Sequence, residues 1–297
     1  MIRRLLTVVA GAAMTPFLVS ACAGNPEQAR PPAGTVEVAF LLTLGDEPAK
    51  CGLTYTGVGS ALADMSLQDA RIYVSNFRLI AADGTESPLA LEQDGVWQRD
   101  GLALLDFEDA TGGCNGNPVT NTTVRGTTAG NDYVGLAFDI GVPERMNHQD
   151  PTLAAAPLNQ SALSWPWRYG YKYITIDLET AIKAGASEGA PGFSIHVGAT
   201  DCGDGPPMQV PSVACALQNR PSVSLEQFNP ASDVVVIDLA ELLAESDLTT
   251  NQPDTASGCM SAPDDSDCDG IFVRAGLRGT PQRFVRAAPV QGFASTW

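Results

Sequence analysis

The sequence is short of positive charge, with 17 Lys+Arg against 34 Asp+Glu in 297 residues and a formal net charge of −17. Such a chain has no cationic face to replace phosphate counterions, which excludes nucleic-acid binding as its role. The same shortage excludes docking on anionic lipid through a basic patch. Histidine is scarcer still: His148 and His196 are the only two. A three-histidine zinc site cannot be built from them, and no HExxH occurs. The chain also has no Walker loop and no CxxC pair, so the usual signs of a P-loop nucleotidase and a thiolate zinc ribbon are missing. Nothing in these residues signals an enzyme. Long apolar runs are lacking too, since Leu5–Ser20 is too short and too weakly apolar for a spanning helix.

That first apolar stretch follows two arginines in Met1–Arg4 and has the form of a secretory signal peptide. Val19-Ser20-Ala21-Cys22 has the form of a bacterial lipobox, in which the chain is cut before the cysteine and the thiol is acylated; an ordinary signal beside a stray cysteine is the alternative. The expected organisation is a lipoprotein signal over 1–21, a flexible tether over 22–34, and one β-rich domain over 35–297. Membrane attachment would then be by acyl chains on Cys22 alone, placing the protein on the periplasmic face of an outer membrane or on the cell surface. Six cysteines remain: Cys51, Cys114, Cys202, Cys215, Cys259 and Cys268. An even number in an exported chain reads as three disulfides, with thiolate metal ligation as the rival reading. Fifteen pairings are possible for six cysteines. Proximity suggests Cys202–Cys215 and Cys259–Cys268, leaving Cys51–Cys114.

Short alternating runs dominate the rest. Thr35–Leu44 places Val36, Val38, Phe40 and Leu42 on one face, Arg71–Ile80 places Tyr73, Phe77 and Leu79 together, and Asp132–Ile140 does so with Val134, Leu136 and Phe138. Asp83-Gly84 and Asp94-Gly95 read as hairpin turns. Tyr171–Leu178, Phe193–Gly198 and Asp233–Leu239 read as further strands, Asp238–Ser246 as a short helix, and Pro151–Leu163 as a helical turn or two. The Gly-, Pro- and Asp-rich stretch Thr250–Asp269 reads as a loop. These patterns predict an all-β fold, a single disulfide-stapled β-sandwich with long loops.

Candidate chemistry gathers around the histidines. His148 lies in a loop after a strand, and His196 points away from the face shared by Phe193, Ile195 and Val197. Between them, Leu163–Asp177 (LSWPWRYGYKYITID) packs Trp165, Trp167, Tyr169, Tyr171 and Tyr173 into nine residues. Such a segment can fill a core, grip a sugar, or set oxidisable indoles beside a soft cation. Met146 offers a weak thioether. Asp265-Ser-Asp267-Cys-Asp269-Gly270 echoes the first half of a calcium loop, but Gly276 stands where the bidentate glutamate belongs. Asp69, Asp106 and Asp109 read as turn or cap residues beside strands.

The stretch Gly141–Asp177, GVPERMNHQDPTLAAAPLNQSALSWPWRYGYKYITID, resembles the NHxDPT…APLN…WxWxxGYK(F/Y) signature of the MbnP-like copper-binding proteins, the four-cysteine members of the "metallo-mystery pair". The resemblance extends to Asp69–Ile80, Leu102–Gly113 and His196–Cys202. It implies an exported, often lipid-anchored copper protein in copper acquisition or homeostasis, with His148 and His196 as ligands. It also implies that Trp165 or Trp167 is converted to kynurenine by a dihaem cytochrome c peroxidase-like (MbnH-type) partner, the chain being that partner's substrate rather than an enzyme. Imidazole suits copper, and disulfide-locked cysteines would leave histidine as the ligand of choice. The alternative reading is an envelope module that grips a glycan or protein through the Trp/Tyr-rich segment; a third is a structural lipoprotein without metal.

Overall fold

A computed structural model describes residues 34–130, 132–181 and 192–293. The expected signal segment, Cys22 and almost all of the expected tether lie outside the described residues. No described helix is long and apolar enough to cross a membrane.

Two sheets face each other. The smaller runs in the order Val285–Pro289, Asp233–Asp238, Thr35–Leu44, Thr123–Thr127, Ala90–Leu91. Thr35–Leu44 pairs parallel with Asp233–Asp238 and antiparallel with Thr123–Thr127. The larger runs Ser222–Leu225, Tyr133–Ile140, Ala63–Ala81, Lys172–Thr180, Phe193–Gly198, Gly258–Cys259. Its axis is the 19-residue strand Ala63–Ala81, which also pairs with Leu102–Asp106 on its other edge. The core lies between the inner faces. Val38, Phe40 and Leu42 meet Phe77, Phe138, Ile174, Ile176, Ile195 and Val197 there, and Phe77 stacks on Phe138 with centroids 5.2 Å apart. This is the expected all-β sandwich.

The three expected disulfides are all present: Cys51–Cys114, Cys202–Cys215 and Cys259–Cys268. Asp83-Gly84 closes a hairpin, with Gly84 at φ 83° and the Thr85 amide donating to Asp83. The short helix Leu239–Leu243 begins on Asp238, whose carboxylate accepts from the Ala240 amide.

Four expectations are corrected. Tyr73 does not share a face with Phe77 and Leu79: Asn76 is left-handed (φ 56°) at a bulge in the pairing with Tyr133–Ile140. The extra residue turns the side chains over, so Tyr73 faces outward while Phe77 and Leu79 stay in the core. Val134 is exposed, because the register also shifts between Tyr133 and Gly135. Asp94-Gly95 closes no hairpin, since the strands on either side belong to different sheets. The Asp94 carboxylate instead collects the amides of Val96, Trp97 and Gln98. The end of Thr250–Asp269 is the first turn of a helix, Asp267–Arg274, not a loop. Its acidic residues sit at the positive end of that helix, where carboxylates are favourable without a cation.

The outer face of the larger sheet carries a second apolar layer. Tyr73, Leu102, Leu104, Tyr171 and Tyr173 are covered by Val142, Met146, Leu158, Leu163, Ala199 and the Cys202–Cys215 pair. The loops that hold the aromatic segment are therefore folded onto the sheet. The Tyr73 and Tyr171 hydroxyls donate to the carbonyls of Pro157 and Leu158 and fasten them.

Candidate metal site

His148 ends a single helical turn, Glu144–Asn147. That turn is fixed by Met146, buried in the outer apolar layer, and by Asn147, which is fully buried. The Asn147 side-chain oxygen accepts from the Tyr171 amide at 2.9 Å. It thereby locks the histidine turn to the aromatic segment. That segment is itself a tight turn, closed by Trp165 N–H to Gly170 O at 2.9 Å. Gly170 is left-handed at φ 76°, and a Cβ there would stand 2.5 Å from Asn147, so no other residue fits. The buried Arg168 ties the turn to the other loop through the carbonyls of Cys202, Gly203 and Pro206.

The consequence is a defined imidazole. His148 Nδ1 lies 2.7 Å from the Trp167 carbonyl, which can only accept, so Nδ1 carries the proton. In the neutral ring Nε2 keeps its lone pair, and its neighbours are Glu144 Oε1 at 3.4 Å, Asn147 Nδ2 at 3.5 Å and Cys215 Sγ at 3.7 Å. The donor atoms of Glu144, His148 and Cys215 all lie within 4.8 Å of one another. Cys215 is bonded to Cys202, so in this state its sulfur is not a thiolate ligand. A cleft of about 320 Å³, lined by Glu144, Arg145, His148, Gln149 and the 210–214 loop, opens onto Glu144 and His148 and ends one residue short of Cys215.

His196 is held separately. It is buried on the outer face of Phe193–Gly198, as its alternation predicts, and its Nε2 lies 2.8 Å from Asp177 Oδ1. Burial pushes the Asp177 carboxyl up, but the hydrogen bond and charge of His196 outweigh it and leave the group below its usual value. With Nε2 engaged, Nδ1 is the nitrogen His196 has to offer. No hydrogen bond joins the two imidazoles among the described residues. What lies between them is the tryptophan turn: the Trp167 carbonyl holds His148, and the Trp165 ring lies over Gly198, two residues from His196 on the same face. A Cβ at Gly198 would stand 2.5 Å from the Trp165 ring. Met146 is buried in the same apolar layer as the Cys202–Cys215 pair. Tyr171 and Tyr173 are fully buried, leaving Trp165, Trp167 and Tyr169 as the aromatics that reach the surface.

Two features escape the sequence reading. Glu144 is four residues before His148, the spacing that puts two side chains on one side of a helical turn, and that spacing was the available signal. The second is a charged row across the outer sheet face: Asp106, Arg71, Thr175 and His196 are direct cross-strand neighbours, with Asp69 beside them. Asp69 and Asp106 are thus buried in the sheet rather than turn residues, whereas Asp109 does serve a turn, accepting from the Thr111 amide. Arg71 pairs with Asp69 through two hydrogen bonds. Asp106 has one carboxylate oxygen without a partner, and burial, reinforced by the neighbouring Glu108, pushes its pKa up to about 7.

Fold and site together describe a disulfide-stapled β-sandwich that displays an oriented histidine beneath a tryptophan turn. The MbnP family model matches residues 33–261, and the chain belongs to the MbnP family. It is also similar to the solved structure of MbnP from Methylosinus trichosporium, with a TM-score of 0.77 and 34% identity over 86% of this chain and 98% of that one. No curated protein matches the chain.

Proposed function

We propose that this protein binds copper in the bacterial cell envelope, in copper acquisition or homeostasis, with His148 and His196 as its nitrogen ligands. The observation that carries the reading is the His148 imidazole, whose Nδ1 is committed to the Trp167 carbonyl, so that a metal at Nε2 would displace only the long 3.5 Å contact from the Asn147 amide. Metal-binding histidines are typically fixed in this way by an acceptor on the other nitrogen. Asp177 does the same for His196 and leaves Nδ1. Two imidazoles suit copper(I), which accepts few ligands, and the acidic chain favours approach of a cation. Bound there, copper would supply a redox-active soft cation beside oxidisable indoles.

On this reading the chain is not an enzyme. A dihaem peroxidase-like partner oxidises Trp165 or Trp167 to kynurenine, and acyl chains on Cys22 hold the protein to the membrane. Both indoles are half-buried at the surface of the turn, which suits modification by an external partner. Copper analysis with peptide mass spectrometry of protein from its native host is the test. About one copper per chain, lost in His148→Ala and in His196→Ala, is the expected result; a copper-replete host yielding protein with neither copper nor a modified tryptophan would refute it. Sugar binding that needs Trp165 and Trp167 but neither histidine would favour the glycan-binding alternative.

A further inference from the structure

The Glu144, His148 and Cys215 cluster has a geometry that its oxidised state does not use. A cation about 2.0 Å from an imidazole nitrogen and about 2.3 Å from a thiolate sulfur, at angles of roughly 110–120°, sets those atoms about 3.5–3.7 Å apart. The same cation with a carboxylate oxygen at about 2.1 Å sets nitrogen and oxygen about 3.4 Å apart. The observed separations are 3.7 Å from His148 Nε2 to Cys215 Sγ and 3.4 Å to Glu144 Oε1.

The supporting contacts are also in place. His148 Nδ1 is held by the Trp167 carbonyl. Gln218 Nε2 donates to Glu144 Oε2 at 3.1 Å and to the Cys215 carbonyl at 2.8 Å, bracing the Glu144 carboxylate and the backbone of Cys215 at once. Such outer contacts fix ligands before metal arrives. The cleft beside the 210–214 loop gives a path for entry. The missing element is a free thiolate, because Cys215 is bonded to Cys202.

We propose that opening the Cys202–Cys215 disulfide converts Glu144, His148 and Cys215 into a site for a zinc-like divalent cation, so that the thiol–disulfide state of this pair controls metal binding. The opening is thiol–disulfide exchange with a dithiol of the thioredoxin class. The S–S bond breaks, two electrons and two protons arrive as two thiols, and the external dithiol leaves as a disulfide. Metal then displaces the Cys215 thiol proton as the metal–sulfur bond forms. The donor set of one thiolate, one imidazole and one carboxylate is that of a borderline-soft, tetrahedral cation. The site shares His148 with the copper reading but not His196, so each can fail without the other.

Cys202→Ser in the whole protein frees Cys215 and leaves the other two disulfides closed. Titrated with Co(II), it is expected to give a one-to-one complex with a near-ultraviolet thiolate-to-cobalt band that Zn(II) abolishes. The band should vanish in C202S/H148A, persist in C202S/H196A, and be absent from Cys215→Ser, which frees Cys202 instead. Absence of the band in C202S, or its survival in C202S/H148A, overturns the proposal. Should C202S fail to fold, wild-type protein reduced with a phosphine, with the opened pair identified by thiol labelling, is titrated in its place. The same band, absent from reduced His148→Ala, supports the proposal, and no band refutes it. Copper loss in His196→Ala reports on the copper reading alone.

Discussion

Replacing Asp106 by asparagine tests the electrostatics of the sheet face that carries His196. Asp106 is 2% exposed, and one of its oxygens has no partner. Burial, with the charge of Glu108, raises its pKa from 3.8 to about 7, and the nearby Arg71 only partly offsets this. The folded value lies above the unfolded one, so the folded chain holds a proton that the unfolded chain releases. Stability therefore falls as pH rises through the window from about 4 to about 7. A shift of roughly three units corresponds to about 4 kcal/mol in all, of which roughly 2–3 kcal/mol falls between about pH 5 and pH 8. Asparagine keeps the shape and does not titrate. The stability of Asp106→Asn relative to wild type should therefore rise by about 2–3 kcal/mol between those two pH values, while the other titrating groups cancel in the difference. Denaturant unfolding of both proteins at each pH, disulfides intact, is the assay. A relative stability that changes by less than about 0.5 kcal/mol would show that Asp106 is ionised in the fold and that the row has an unseen cation or donor.

Other outcomes follow from close contacts. Gly198→Ala should displace the Trp165 ring, shift tryptophan fluorescence and cost about 1–3 kcal/mol in denaturant unfolding; unchanged emission would contradict the packing described. Asn147→Ala leaves the buried Tyr171 amide without its acceptor and should cost about 1–3 kcal/mol, together with weaker metal binding at His148. Removing Cys51–Cys114 as the double serine variant opens a bridge with a sequence separation of 63. Chain entropy puts the loss at about 4 kcal/mol, and a fall in the unfolding midpoint corresponding to less than about 1 kcal/mol would argue against that account.

Where local chemistry decides the outcome, the sequence is readable. Thr35–Leu44 and Phe193–Gly198 have the predicted bounds because simple alternation meets one buried face. The short cysteine spacings expose two disulfides, and the third then has no other partners. Where a single backbone residue or a tertiary approach decides, it is not readable. Asparagine tolerates the left-handed region but does not demand it inside an alternating strand, so the bulge at Asn76 is missed and the side of Tyr73 is misjudged. The helix Asp267–Arg274 is hidden because an aspartate-rich first turn looks like a loop. At the site, His148 stands out by scarcity and Trp165 and Trp167 by clustering. Cys215 does not, since only the fold brings a disulfide sulfur beside His148. Asp106 and Arg71 meet His196 through three strand pairings far apart in the chain.

The strand that carries the bulge at Asn76 serves two masters. Upstream of it the strand lends Tyr73 to the layer beneath the tryptophan turn and Ile72 and Val74 to the sandwich interior, and downstream it lends Phe77 and Leu79 to that interior. A slip by one residue would turn both sets the wrong way at once, so each layer proofreads the alignment of the other. The platform under the metal site and the body of the protein thus share a single registration mark, and loosening either is felt in both.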